Sequence, residues 1–157
     1  QDLPPQAEPF TQPQVMHAVA SLHPAREVPD SRLVPFTAAG EAQLLADNAC
    51  ARHLVLGPAA PDVWRDLDLS AYTVHARVQH HNQLKYTRDG TGANVLGDPR
   101  IALTWLANQL SSLGITLQKG HVVTTGTCMV PLELQPGDSA SADYGPLGRV
   151  HMIFSET

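Results

Sequence analysis

The chain has 157 residues, of which 43% are apolar and 16% charged, and it carries a net charge of −5. That is long and apolar enough for one domain with a packed core, and too apolar for a disordered segment. Lys and Arg are scattered rather than clustered, and no apolar run nears the roughly 18 residues of a membrane span, which argues against nucleic acid and membranes as partners. Cys50 and Cys128 sit among apolar or small neighbours and read as buried free thiols of a reducing compartment, not as a disulfide framework. No signal peptide opens the chain, and Gln1 in place of Met indicates that the true N-terminus is not shown.

Residues 1–10 are rich in proline and polar side chains and predict a surface loop. A helix follows. Thr11 and Gln14 fit a capping box, Pro13 falls in the first turn, and Val15, Val19 and Leu22 share a face before Pro24 ends it. The stretch HPAREVPDSRLVPF then places Arg26, Glu27, Asp30 and Arg32 within seven residues. As residue types they fit either a solvated loop with weak ion pairs or a carboxylate that serves a metal. Residues 40–57 start helical, with Ala42, Leu45 and Ala46 on one face, and finish as a short buried strand, Leu54-Val55-Leu56. Asp47 and Asn48, between the two, are residue types that cap helices and form turns.

Residues 58–71 predict a loop anchored by Trp64, with Asp66 and Asp68 in water. From Tyr72 to Gln79 the chain alternates, with Val74, Ala76 and Val78 on one side, as a half-buried strand requires. His80-His81-Asn82 then forms the turn of a hairpin that returns through Leu84 and Tyr86. Adjacent histidines on a strand point to opposite faces and seldom share a metal. The Gly-Thr-Gly at residues 90–92 lacks a helix directly behind it, which excludes a phosphate-cradling loop. Asp98 as N-cap and Pro99 at the first helical position open a second helix with the stripe Ala102, Trp105, Leu106, Gln109, Leu110 and Leu113, closed by Gly114. Trp105 is expected in the core.

The stretch from Gln118 to Tyr144 organises the rest. Val122 to Thr125 is β-branched throughout and predicts a strand. Gly126 permits a bend or a close backbone approach, and Thr127 sets a hydroxyl beside freed backbone N–H groups, a combination that can hold a carboxylate or carbonyl oxygen. A bulge between two core strands would use the same residues. Pro136-Gly137-Asp138 forms a turn, and Ser139–Tyr144 and Gly148–Phe154 form a hairpin.

Several of these segments, in this order, resemble one family. HPAREVPDSR, Ala46-Asp47-Asn48 ahead of Val55-Leu56-Gly57, the Gly-rich segment before the second helix, and GHVVTTGTCMVPLELQPGDSASADYGPLGRVHMIF are similar to the C-terminal part of the 2-keto-4-pentenoate hydratases and 4-oxalocrotonate decarboxylases, within the fumarylacetoacetate hydrolase superfamily. The match runs from about Asp2 to Phe154. The resemblance implies an α+β fold, a β-rich mixed-sheet roll with a few packed helices, in which residues 1–157 form one domain that is the C-terminal part of a larger catalytic domain.

The resemblance also implies a metal-dependent lyase of aromatic catabolism. Such an enzyme adds water to a 2-hydroxy-2,4-dienoate or its 2-keto tautomer; the alternative is a decarboxylase of the same family. Mg2+ or Mn2+ would chelate the substrate, and Glu27 corresponds to a metal ligand. Relatives usually carry an apolar residue before that glutamate. Here it is Arg26, whose charge would oppose the metal unless it points away. By the same resemblance Asp47 is the catalytic candidate, Asn48 a substrate contact, and Thr127 the foremost substrate contact. A cytoplasmic homo-oligomer is expected, with a small-molecule dienoate as partner. The family's Glu-x-Glu pair and active-site lysine, which fall upstream, are absent from these 157 residues. Little activity is therefore expected of this polypeptide alone. A non-catalytic subunit or fragment is the contrasting reading.

Overall fold

The computed structural model describes residues 1–35 and 38–156; Phe36, which closes the HPAREVPDSRLVPF stretch, lies outside them. The α+β expectation holds: two antiparallel sheets and three α-helices make up the regular structure among the described residues. In chain order these are α1 (Gln12–Ala18), β1 (Ala25–Pro29), α2 (Glu41–Ala46), β2 (Ala51–Leu56), β3 (Thr73–His80), β4 (Gln83–Thr91), α3 (Pro99–Ser112), β5 (Asp138–Asp143) and β6 (Arg149–Ile153). One sheet has the order β4-β3-β5-β6; β1 and β2 form a separate two-stranded ribbon.

The larger sheet follows from the alternation in β3. Val74, Ala76 and Val78 are all at most 5% exposed, and Ala142 and Ala140 stand opposite Ala76 and Val78 on the same face. Val150 and Met152 continue that face onto β6. The turn between β3 and β4 has His81 and Asn82 at φ 46° and 65°, the left-handed pair that a two-residue hairpin needs. The His80 and His81 rings are 4.1 Å apart but serve different partners: His80 Nδ1 meets Asp138 Oδ1 at 2.9 Å, and His81 lies 3.4 Å from Glu156.

The Pro-Gly-Asp turn buries its acid. Asp138 is 0% exposed, and its carboxylate accepts bonds from Lys85 Nζ (2.8 Å), His80 and the Gln135 N–H (2.9 Å). These donors, Lys85 foremost, hold its carboxyl at about 2. One side chain thereby fastens the β3–β4 hairpin to the start of β5.

Helix α1 keeps its predicted cap, with Gln14 Oε1 accepting from the Thr11 N–H at 2.8 Å. It ends at Ala18, well short of Pro24. The Arg65 guanidinium donates to Met16 O in its last turn and, beyond the helix, to the Val19 and Ala20 oxygens. Val19 and Leu22 therefore leave the helix, yet still pack beside Trp64 (2% exposed), which anchors its loop as expected. Phe10, Val15 and Ala107 form a second small core that joins α1 to α3.

Helix α3 has the predicted boundaries. Asp98 accepts the Arg100 N–H at 2.8 Å, and at the other end Gly114 (φ 73°) donates to Ser111 O and Ile115 to Leu110 O, a Schellman closure. Its buried face is not the predicted one. Ala102, Leu103 and Ala107 face the core, whereas Trp105 is 57% exposed, so its assignment to the core is overturned. One short helix packs against α3 and covers only a narrow stripe of it.

Two further expectations fail. Leu54 and Leu56 are 44% and 45% exposed, because β2 pairs only with β1. Val122–Thr125 belongs to neither sheet: β-branched residues favour an extended chain, but a strand also needs a partner.

Asp138→Asn should lower the thermal midpoint at pH 7. In the wild type the folded carboxyl titrates near 2, below its unfolded value of about 3.9. Its contribution is therefore complete above about pH 4 and is lost as pH falls toward 2. Thermal unfolding across pH 2–7 checks this, and the variant should lack that share of the acid slope.

Candidate active site

A cleft of about 1300 Å³ lies between the ribbon, the inner face of the sheet and the segment 121–129. Glu27 and Thr127 both line it. β1 positions the first. Glu27 is exposed and stands opposite Leu54 in the ribbon; Arg26, next to it, is 9% exposed and points to the other face. Arg26 nevertheless lines the same cleft as Glu27.

The Gly-Thr-Cys segment is held by its backbone. Cys128 O accepts the Thr91 N–H at 2.9 Å and Asn94 Nδ2 at 2.7 Å. Gly90 permits this approach: a Cβ there would fall 2.6 Å from Cys128 O. The backbone turns at Gly126, with φ 122°, and leaves Thr127 exposed on the cleft wall. The Gly-Thr-Gly run, rejected as a phosphate loop, thus finds its use in close packing. Its second glycine is equally constrained, since a Cβ on Gly92 would meet Leu69 O at 1.7 Å.

Asp47 and Asn48 do not join these two residues, and neither lines the cleft. Asp47 is 9% exposed and accepts from the Ser31 hydroxyl (2.7 Å), the Arg32 N–H (3.0 Å) and the Arg32 side chain. Those bonds, that of Ser31 first, hold its carboxyl below the usual carboxylate range and tie the loop after β1 to the end of α2. Asn48 Nδ2 donates to Ala51 O at 3.0 Å, within a left-handed run of three residues, Asn48 to Cys50. Asn48 makes the local turn contact that its type favours, whereas Asp47 caps no helix and is bonded to a loop 15–16 residues upstream.

Behind β1 lies a polar cluster that the sequence reading missed. Arg26 sits near Cys128 and Tyr144, and Tyr144 Oη donates to Ala25 O at 2.9 Å. Burial pushes the Cys128 thiol and the Tyr144 phenol up, and Arg26 opposes both shifts. Arg26 Nη1 is buried without a hydrogen-bond partner. The available signal was the arginine itself, a charged residue on the half-buried face of a strand.

The carboxylates present do not complete a divalent metal site. Magnesium takes about six oxygens, usually one or two of them from carboxylates. Among the described residues no three His, Cys, Asp or Glu side chains gather to hold an ion. Asp30, the next acid after Glu27, is paired with Arg52 at 2.8 Å.

Residues 5–153 match the family described as fumarylacetoacetate (FAA) hydrolase C-terminal. The chain belongs to that family. It is 33% identical over 150 residues to a 2-keto-4-pentenoate hydratase of Burkholderia vietnamiensis, covering 96% of this chain and 55% of the relative. It is 30% identical over 112 residues to a 2-oxo-hept-4-ene-1,7-dioate hydratase of Escherichia coli, covering 70% and 39%. Among solved structures, 4-oxalocrotonate decarboxylase from Pseudomonas putida G7, complexed with magnesium and adipate, superposes with a TM-score of 0.78 at 27% identity, covering 96% of this chain and 55% of that one. The chain spans about half the length of the relatives it matches. No helix among the described residues is long and apolar enough to cross a membrane.

Gly90→Ala should cost about 1–3 kcal/mol, the usual range for overpacking, when unfolded in urea. It should also speed hydrogen exchange at the Thr91 amide, because the added methyl displaces the carbonyl that this amide meets.

Proposed function

We propose that this chain forms the C-terminal part of the catalytic domain of a metal-dependent lyase that adds water to a 2-hydroxy-2,4-dienoate or its 2-keto-4-enoate tautomer. The observation that carries this reading is the shared cleft: Glu27 and Thr127, far apart in sequence, line one cavity in a chain of this family. The hydratases among its relatives support the reaction class. In this reading Glu27 supplies one carboxylate to a divalent cation, Mg2+ or Mn2+, and residues outside these 157 supply the rest. Such a cation acts as a Lewis acid on the substrate's oxygens.

The chain's own contribution is placement. The Thr91 and Asn94 bonds to Cys128 O hold the Thr127 hydroxyl at the cleft wall, where it can donate to a substrate oxygen. The apolar faces of Val74 and Ala142 along the same cleft limit the water around the ligand. Asp47, expected to be catalytic, is better read as the anchor of the loop after β1, and Asn48 as part of its turn. The protein works as a cytoplasmic homo-oligomer on a small-molecule dienoate. Decarboxylation of a 2-oxo-3-enedioate is the second reading, favoured by the likeness to the decarboxylase structure.

The test uses the full-length protein, its intact mass and its metal content, with 2-hydroxypenta-2,4-dienoate as substrate. Glu27→Ala should lower bound magnesium or manganese and cut kcat/KM at least roughly 100-fold. Hydration without carbon dioxide release supports the first reading; release from 4-oxalocrotonate supports the second. Full metal content and full turnover in Glu27→Ala would refute the role of Glu27.

A further inference from the structure

The cleft holds a hydroxyl and a base that the lyase reading does not use. Ser21 and His23 both line it. Ser21 Oγ lies 2.9 Å from His23 Nε2, and His23 Nδ1 lies 2.9 Å from Gly57 O. A carbonyl oxygen only accepts, so in the neutral ring Nδ1 carries the proton and Nε2 a lone pair. The Ser21 hydroxyl is then the donor. In this arrangement an imidazole takes the proton of a hydroxyl as its oxygen attacks. The backbone holds both partners in place. Leu22 O accepts the Ala60 N–H and Pro24 O the Gly57 N–H, each at 2.8 Å, which ties this segment to the chain that follows β2. Arg65 Nη2 fixes the residue before Ser21, donating to Ala20 O at 3.3 Å. Gly57, whose carbonyl orients the ring, is itself confined: a Cβ there would fall 3.0 Å from both Pro24 O and Val150 Cγ2. Ser21 and His23 are nevertheless exposed, so a reagent in the cleft can reach them.

We propose that Ser21 is an activated nucleophile that accepts the acyl group of small carboxylic esters, a second chemistry of this cleft that uses neither Glu27 nor a metal. The Ser21 oxygen bonds to the carbonyl carbon of the ester, and its proton passes to His23 Nε2. The bond from that carbon to the alcohol oxygen breaks, and the departing oxygen takes the proton from Nε2. Water then gives a proton to the same nitrogen and attacks the acyl-serine. The carboxylic acid leaves, and Ser21 recovers its proton. Gly57 O keeps the Nδ1 proton throughout and faces its partial negative charge to the imidazolium formed midway, the part that an acid plays in a serine, histidine and aspartate triad. Val19 and Leu22, beside Ser21 in the chain, line the cleft too, which suits a short apolar acyl chain better than a charged one.

The test is the reaction of the full-length protein with 4-nitrophenyl acetate, whose alcohol leaves readily and reports by its colour. The wild type should release a burst of about one nitrophenol per chain, followed by slower turnover. Peptide mass mapping should then place an acetyl group on Ser21. Hydroxylamine should remove it, as it does from a serine ester and not from a lysine amide. Ser21→Ala should abolish both burst and label, and His23→Gln should slow the burst at least roughly 100-fold. Both side chains are exposed, so both variants should fold, which circular dichroism checks. Chelation of any bound metal should leave the burst unchanged. A wild type without a burst, an acetyl group found only on other residues, a burst at full rate in either variant, or a burst lost on chelation overturns the proposal. The lyase reading, tested by Glu27→Ala on a dienoate, stands or falls separately.

Discussion

The bond from the Thr91 N–H to Cys128 O, 2.9 Å long, is the contact on which the candidate site depends. Segment 121–127 pairs in neither sheet, so its position comes from few points of attachment. Cys128 O takes two donors, one from the end of β4 and one from Asn94. Gly90 makes room for the approach by lacking a Cβ. Remove that clearance and the wall of the cleft that carries Thr127 moves, whatever Thr127 itself can do.

The charged residues divide into those that hold the fold and those left over. Asp138, Asp47, Arg65 and the Arg149–Asp143 pair are each satisfied by partners that tie one element to another. Asp138 shows why such acids persist inside: three donors surround it, so the ionised form is favoured despite complete burial. Arg26 is the exception, buried with an unpaired nitrogen. The polar cluster behind β1 is thus distinct from the bonds that hold the molecule together.

Family membership and the cleft bear on each other. The decarboxylase superposition covers 96% of this chain but only 55% of that chain. Glu27 and Thr127 line one cleft, and among the described residues no three His, Cys, Asp or Glu side chains gather there to hold a magnesium ion. The proposed lyase follows from reading this cleft together with the chain's relatives.

Much was legible in the order of residues alone. The β3–β4 hairpin, the caps of α3, the start of α1, the Trp64 anchor and the Pro-Gly-Asp turn all follow from local rules, because periodicity, caps and left-handed positions act within a few residues. The same holds for Glu27 and Thr127 as candidates, through short motifs. What tertiary structure decided was pairing and facing. Val122–Thr125 has strand residues but found no strand beside it; Trp105 sits on a helix whose core face is covered by α1 and the N-terminal segment on the side of Ala107; the chain after α1 is held by Arg65, 46 residues beyond Val19. The burial of Arg26 and the capture of Asp47 by Ser31 and Arg32 belong with these. Each depends on a partner distant in sequence, and no local rule says which partner a side chain will meet.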